Sequence, residues 1–146
     1  MSPYIYDYPR PMLTVDAVVF RVKNGIREVL LIRRKNEPFR GHWALPGGFM
    51  DMNETLEEAV VRELEEETGL TGIRLIQMHA FSALHRDPRG RTVSVAFRGR
   101  VPDPDVSIRA GDDAARAEWF DVRDLPPLAF DHSKVIGMAL EKENLT

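Results

Sequence analysis

Two runs near the start of the chain, LTVDAVVFRV (13–22) and REVLLIRR (27–34), are dense in β-branched and apolar residues and of strand length. Asn24-Gly25 between them predicts a tight hairpin turn. The next stretch, KNEPFRGHWALPGG (35–48), is punctuated by two prolines and three glycines. It predicts a long loop, a feature more often functional than decorative. From Leu56 the apolar residues recur at helical spacing, with Asn53 as the expected N-cap and Gly69 as the stop. IRLIQMHAFSALH (73–85) reads as strand, DPRG (87–90) as a turn, TVSVAFRGRV (92–101) as strand and AARAEWFDV (114–122) as a shorter strand. After the proline-punctuated LPPLAFDH, Asp131 is placed to cap a last helix over 132–143. Strands surrounding one helix, with a second at the end, predict an α/β fold with a mixed sheet between helical layers. No linker divides the pattern, so residues 1–146 read as one domain, with 1–12 as a possible N-terminal arm.

The helix over GGFMDMNETLEEAVVRELEEETGL (47–70) carries its acidic residues in an unusual place. Counting about 100° per residue from Leu56, Ala59, Val60 and Leu64 fall near 300°, 40° and 80° and define the inward face. Glu63 at about 340° and Glu67 at about 20° lie inside that face, and Glu66 at about 280° lies on its margin. The same count sends Glu58, Arg62 and Glu65 toward solvent. Inward carboxylates are costly unless paired or metal-bound, and neighbours three or four apart repel. A divalent cation relieves both, and oxygen-only ligands favour a hard ion: magnesium, manganese or calcium. The competing reading is an amphipathic helix whose glutamates reach solvent or pair with arginine.

Composition changes the picture mainly by exclusion. The chain has 146 residues, 43% of them hydrophobic and 29% charged, as for a globular domain with a real core. It lacks cysteine, which excludes disulfides and thiolate metal sites and suits a cytoplasmic setting. With a formal charge of −3 and no basic run, no nucleic-acid footprint is indicated. No apolar stretch approaches a membrane span, and MSPYIYDYPRP does not read as a signal peptide.

Gly48, five residues, Glu54, seven residues, then Arg62-Glu63-Leu64-Glu65-Glu66-Glu67-Thr68-Gly69-Leu70 resembles the signature box of the Nudix hydrolases, with no gap and every specified position matched. The resemblance implies a Nudix-type α/β/α sandwich with a mixed β-sheet and hydrolysis of a nucleoside diphosphate linked to another group. It also implies Glu63, Glu66 and Glu67 as side-chain metal ligands and the carbonyl of Gly47 as a further one. Arg62 would pair with Glu54 and hold the loop–helix–loop in shape. For Gly47 and Gly48 the plain alternative is a turn before a helix. The implied cofactor is Mg2+, with Mn2+ as an alternative.

YDYPRP, RKNEPFRGHWALPGGF, RDPRGRTVSVAF and GDDAARAEWF resemble the ADP-ribose pyrophosphatase branch of that family. This implies a small nucleotide substrate, ADP-ribose, cleaved to AMP and ribose 5-phosphate, and a homodimer. The alternatives are a Nudix enzyme for a nucleoside triphosphate or dinucleotide, or a non-catalytic ADP-ribose-binding sensor. Family members often take the general base from a loop outside the box. Here GDDA supplies Asp112 and Asp113, with Asp113 the first candidate and Glu66 the alternative; the plain reading is an acidic turn. Arginine suits phosphate recognition, and Arg33, Arg34, Arg89 and Arg91 are the substrate-binding candidates, with Arg40 and Arg86 also in or beside loops. Arg33 and Arg34 alternate in direction, so only one is expected to face the site. Taken singly, each arginine reads as solvated and each of Phe39, Phe49 and Phe81 as core rather than an adenine platform. The four histidines show no zinc-like spacing and none is assigned as a ligand.

Overall fold

The computed structural model describes residues 3–111 and 114–144. Its elements are β1 (Met12–Lys23), β2 (Ile26–Arg34), β3 (Trp43–Ala44), β4 (Gly47–Phe49), α1 (Leu56–Thr68), β5 (Ile76–Phe81), β6 (Thr92–Arg100), β7 (Ala114–Asp121) and α2 (His132–Asn144). The sheet is mixed: β1 pairs antiparallel with β2 and parallel with β6, from Met12 opposite Thr92 to Phe20 opposite Arg100. Residues 24 and 25 turn the β1–β2 hairpin with positive φ at both Asn24 and Gly25, as a two-residue turn of right-twisted strands requires.

Alternation along β1 sorts the core into two layers. Val15, Ala17 and Val19 face α1 with Ala59, Val60 and Leu64, whereas Val18 and Phe20 face α2 with Val135, Ile136 and Ala139. The expected sheet between helices is therefore present. Among the described residues, no helix is long and apolar enough to cross a membrane.

Three expectations change. The helix cap is Thr55, two residues after Asn53, because Thr55 and Glu58 form a reciprocal capping box: Glu58 N–H donates to Thr55 Oγ1 and Thr55 N–H to Glu58 Oε1. The strand expected over 73–85 is paired only over Ile76–Phe81. Ile73 and Leu75 are apolar because they pack on the α1-side core, and the chain there passes so close to Gly99 that a Cβ would lie 2.5 Å from the Arg74 carbonyl oxygen. The long loop contains two short strands, β3 on β2 and β4 on β1. β1 is thus divided: its last residues pair with β2, and Thr14, Val15 and Asp16 pair with Phe49, Gly48 and Gly47. That division lays the glycine-rich segment beneath α1.

Candidate active site

The two glycines are strand residues rather than a plain turn, and their missing side chains matter. A Cβ on Gly48 would stand 2.7 Å from the carboxyl carbon of Glu63, and one on Gly47 would stand 2.1 Å from the Val15 carbonyl oxygen. The carboxylates of α1 can therefore lie directly on the β4 backbone, where Gly47 N–H donates to Glu67 Oε1 at 2.8 Å. Glu67 is buried, at 7% exposure. Burial pushes its carboxyl up to about 9, Glu63 adds to the push, and the Gly47 N–H works against it. Glu63 is also raised, by burial first, with Arg62 opposing. Two crowded, desolvated carboxyl groups of this kind need a proton or a cation between them. The donor set is oxygen-rich and small, which fits a hard divalent ion.

Glu66 stands at the edge of this pair, sharing Arg62 Nη1 with Glu63, and its charge helps raise the Glu63 carboxyl. Its side chain is 58% exposed and accepts from Arg62 Nη1 at 3.2 Å. Among the described residues, no group of three or more histidine, aspartate or glutamate side chains is gathered to hold a metal.

Arg62 does not point to solvent. Its Nε donates to Glu54 Oε2 at 3.0 Å and its Nη2 to Glu54 Oε1 at 2.7 Å, while Nη1 reaches Glu63 Oε1 at 2.8 Å and Nη2 the Phe49 carbonyl at 3.1 Å. The helical count fixes where a side chain starts, and a long one then folds back. The pairing with Glu54 thus joins the loop before α1 to the middle of the helix. Arg62 and the Asp51 N–H hold the Glu54 carboxyl at about 2.

Glu63 and Glu67 form one wall of a cavity of about 500 Å³. Arg34 and Arg89 line it too. The Arg34 guanidinium lies 5.1 Å from the centre of the Phe130 ring, and that of Arg89 lies 4.9 Å from Phe49 and 5.3 Å from Phe130. Burial and the neighbouring Arg89 charge lower the Arg34 pKa, the mark of two cations facing one space. Asp87 orients Arg89 with both oxygens, at 3.1 and 2.9 Å. Burial opposes charge on Asp87, but the Arg89 bonds hold its carboxyl below the usual range. Phe130 adopts φ +52°, a sparsely populated conformation for an aromatic residue, and it does so in the cavity wall.

Of the other arginine candidates, Arg33 faces a separate cleft with Arg40, His42 and Trp43, and its Nε binds the Gly41 carbonyl. Arg91 binds the Ala83 carbonyl and does not line the cavity. Strand alternation separates Arg33 from Arg34, and the turn at 87–90 delivers Arg89 but not Arg91. Asp112 and Asp113 lie outside the described residues. The segment leading to them is docked on the end of α1, with Arg109 N–H on the Thr68 carbonyl and Gly111 N–H on the Glu67 carbonyl, at 2.9 and 3.1 Å.

The floor of the cavity was not anticipated apart from Arg86, which the sequence placed in or beside a loop. Asp16, Thr14, Ser94, Arg86 and His132 all line it and are each at most 9% exposed. Arg86 binds Asp131 through two bonds, at 3.0 and 2.6 Å, and Ser94 Oγ at 2.7 Å. Ser94 Oγ also bonds Thr14 Oγ1. Burial raises the Asp16 pKa, against His132 and Arg86, and lowers that of His132. A lone aspartate in TVDAVVF, an otherwise apolar strand, was the available signal.

Residues 10–137 match the NUDIX domain family. An ADP-ribose pyrophosphatase from Methanocaldococcus jannaschii is 46% identical over 129 residues, covering 88% of this chain and 73% of that protein. The ADPR responsive transcriptional repressor NtrR of Acinetobacter baylyi is 34% identical across 94% of this chain, but the chain spans only 56% of that repressor. Among solved structures, the NUDIX domain of Shewanella oneidensis NrtR complexed with ADP ribose superposes with a TM-score of 0.87 at 35% identity, covering 97% of this chain and 94% of that one. Since the family match takes in every strand, the whole of α1 and the whole acidic box, this chain belongs to the NUDIX family.

Proposed function

We propose that the protein hydrolyses ADP-ribose to AMP and ribose 5-phosphate in a reaction that needs a divalent cation, magnesium or in its place manganese. The observation that carries this reading is that one cavity is lined both by a carboxyl pair, buried Glu67 and half-buried Glu63, and by an arginine pair, Arg34 and Arg89. A pyrophosphate needs both: cations for its oxygens and carboxylates to hold a metal ion against it. The similarity to an ADP-ribose pyrophosphatase and to a domain complexed with ADP ribose supports a small nucleotide ligand and favours ADP-ribose among the nucleotides.

Glu63, Glu66 and Glu67, with the Gly47 carbonyl, would hold the ion. When bound, it neutralises phosphate charge and acidifies water. Arg34 and Arg89 donate to the phosphate oxygens and fix the pyrophosphate. Arg62 bonds both Glu63 and Glu66 through Nη1 and so fixes where these two carboxylates stand. A water attacks one phosphorus, the bridging P–O bond breaks, and the two phosphate monoesters leave. For the proton of that water we propose Asp113 as base, with Glu66 as the alternative; the anchoring of Gly111 on the Glu67 carbonyl supports Asp113. Homodimer formation and a cytoplasmic setting belong to the same proposal. The exposed side chains of Tyr4, Ile5 and Tyr8 offer surface for a second copy, and the mass in solution tests it.

A second reading, an ADP-ribose sensor without turnover, is favoured by the similarity to the repressor. Measuring AMP release from ADP-ribose at saturating magnesium, beside a panel of nucleoside triphosphates and dinucleotides, separates the readings. The proposal expects the highest kcat/KM on ADP-ribose. Binding without AMP release selects the sensor, and a much higher kcat/KM on another nucleotide selects another substrate.

A further inference from the structure

The floor of the cavity comes from outside the acidic box, from β1, β6, the turn at Arg86 and the start of α2, and it is a built polar surface. Asp16 is the register partner of Gly47, and a Cβ on Gly47 would lie 2.6 Å from Asp16 Oδ1. Since Gly47 N–H also holds Glu67, the Asp16 carboxyl stands one residue's width from the metal-binding pair. Opposite it, the ring of His132 is fixed: Leu45 N–H donates to Nδ1 at 3.0 Å. Nδ1 is therefore an acceptor, and the ring proton sits on Nε2. That Nε2 faces Asp16 Oδ1 across 3.7 Å, too wide for a direct hydrogen bond. Both side chains line the cavity, so the gap opens onto ligand space.

We infer that Asp16 and His132 form a ribosyl subsite, which binds the vicinal hydroxyls of the sugar joined to the pyrophosphate on the side away from adenosine. The inference rests on ADP-ribose being the ligand. A vicinal diol needs acceptors for its O–H groups and a donor for a lone pair; the Asp16 oxygens and His132 Nε2–H supply both. Ser94 and Thr14 bound the same surface and are held by Arg86. Position selects sugar over base. In ADP-ribose a ribose is attached to each end of the pyrophosphate, and adenine is one sugar further out. A group beside Glu67 therefore meets ribose. The five floor residues are almost fully buried and polar, with no phenyl or indole face among them, which suits the floor to the terminal ribose rather than to a base. The aromatic faces suited to a base, Phe49 and Phe130, lie instead along the arginine wall.

The test compares ribose 5-phosphate with 2-deoxyribose 5-phosphate, neither of which has a pyrophosphate to be cleaved, by calorimetric titration with magnesium present. In the wild type the missing hydroxyl should weaken binding on the order of tenfold or more. Asp16→Asn, which keeps shape but removes one acceptor, should cut the preference to roughly twofold. His132→Asn, whose side-chain oxygen can still accept from Leu45 N–H while the Nε2 donor is gone, should do the same. Preference for adenine over hypoxanthine, read as kcat/KM on ADP-ribose against IDP-ribose, should not change in either variant. Equal binding of the two sugar phosphates to the wild type, or no binding of either, overturns the inference, and this arm needs no variant to fold. So does a sugar preference that survives both substitutions, or a loss of base preference in its place. AMP release from ADP-ribose by the wild type, measured in parallel, reports separately on the proposed reaction: turnover with no sugar preference sinks the subsite alone.

Discussion

Gly48→Ala isolates what the acidic pair does from what the fold needs. The added Cβ would meet the Glu63 carboxyl carbon and Oε1 at 2.7 Å and Oε2 at 2.8 Å. Ordinary contact between such atoms is roughly 3.5 Å or more, so the carboxylate must retreat by about 1 Å. The obstacle is the far end of a side chain, which can swing, so the stability cost should be about 1 kcal/mol, the low end for overpacking. A displacement of this size in a group that positions the reaction costs about 10²-fold in rate. Gly47→Ala is the matched control. Its Cβ would strike the Val15 carbonyl oxygen at 2.1 Å, and backbone in a paired strand cannot swing aside. That variant should lose about 2–3 kcal/mol, lowering Tm by roughly 5–10 °C. The assay pairs thermal melts with AMP release at saturating magnesium. Gly48→Ala melting near the wild type while turning over at near wild-type rate would refute the idea that Glu63 must lie against the β4 backbone.

Other consequences follow from the same geometry. Arg34→Ala should raise KM for ADP-ribose by about tenfold, from the loss of a charge-assisted bond, while Arg33→Ala should leave steady-state constants unchanged. Asp113→Ala should cut kcat by about 10²-fold or more if it is the base, and near-normal turnover would remove it from the mechanism. In EDTA, Glu67 should make stability pH-dependent. Burial pushes its folded carboxyl up to about 9, against 4.5 in the unfolded chain, so between these the folded state holds the extra proton. Stability should therefore fall as pH rises through that window, and urea melts of Glu67→Gln should show a flatter dependence with greater stability at pH 8, beside lost hydrolysis.

How much of this was legible in the sequence depends on the range of the interaction. The helical period alone turned Glu63 and Glu67 inward, because burial of Ala59, Val60 and Leu64 fixes the rotation of α1. Asn24-Gly25 announced its turn because the required dihedrals are local. The N-cap was misplaced because Asn53 and Thr55 are both good caps, and the reciprocal bonds of Glu58 decide between them. The direction of Arg62 was misjudged from rotation alone, although its pairing with Glu54 was expected from the box. The floor was invisible for a different reason. Thr14 and Ser94 meet only because β1 and β6 pair in parallel, and His132 arrives from the start of α2. No periodicity encodes which distant strands become neighbours, and Asp131, which precedes α2 as expected and accepts Val135 N–H on its carbonyl, also binds Arg86 through its side chain.

The central claim is that Glu63 and Glu67 together hold a divalent cation. Titration of free Mn2+ by electron paramagnetic resonance, with wild type and Glu67→Gln at equal concentration, measures this without any substrate. The account predicts uptake by the wild type that is weakened at least about tenfold in Glu67→Gln. Unchanged Mn2+ uptake by Glu67→Gln would contradict it.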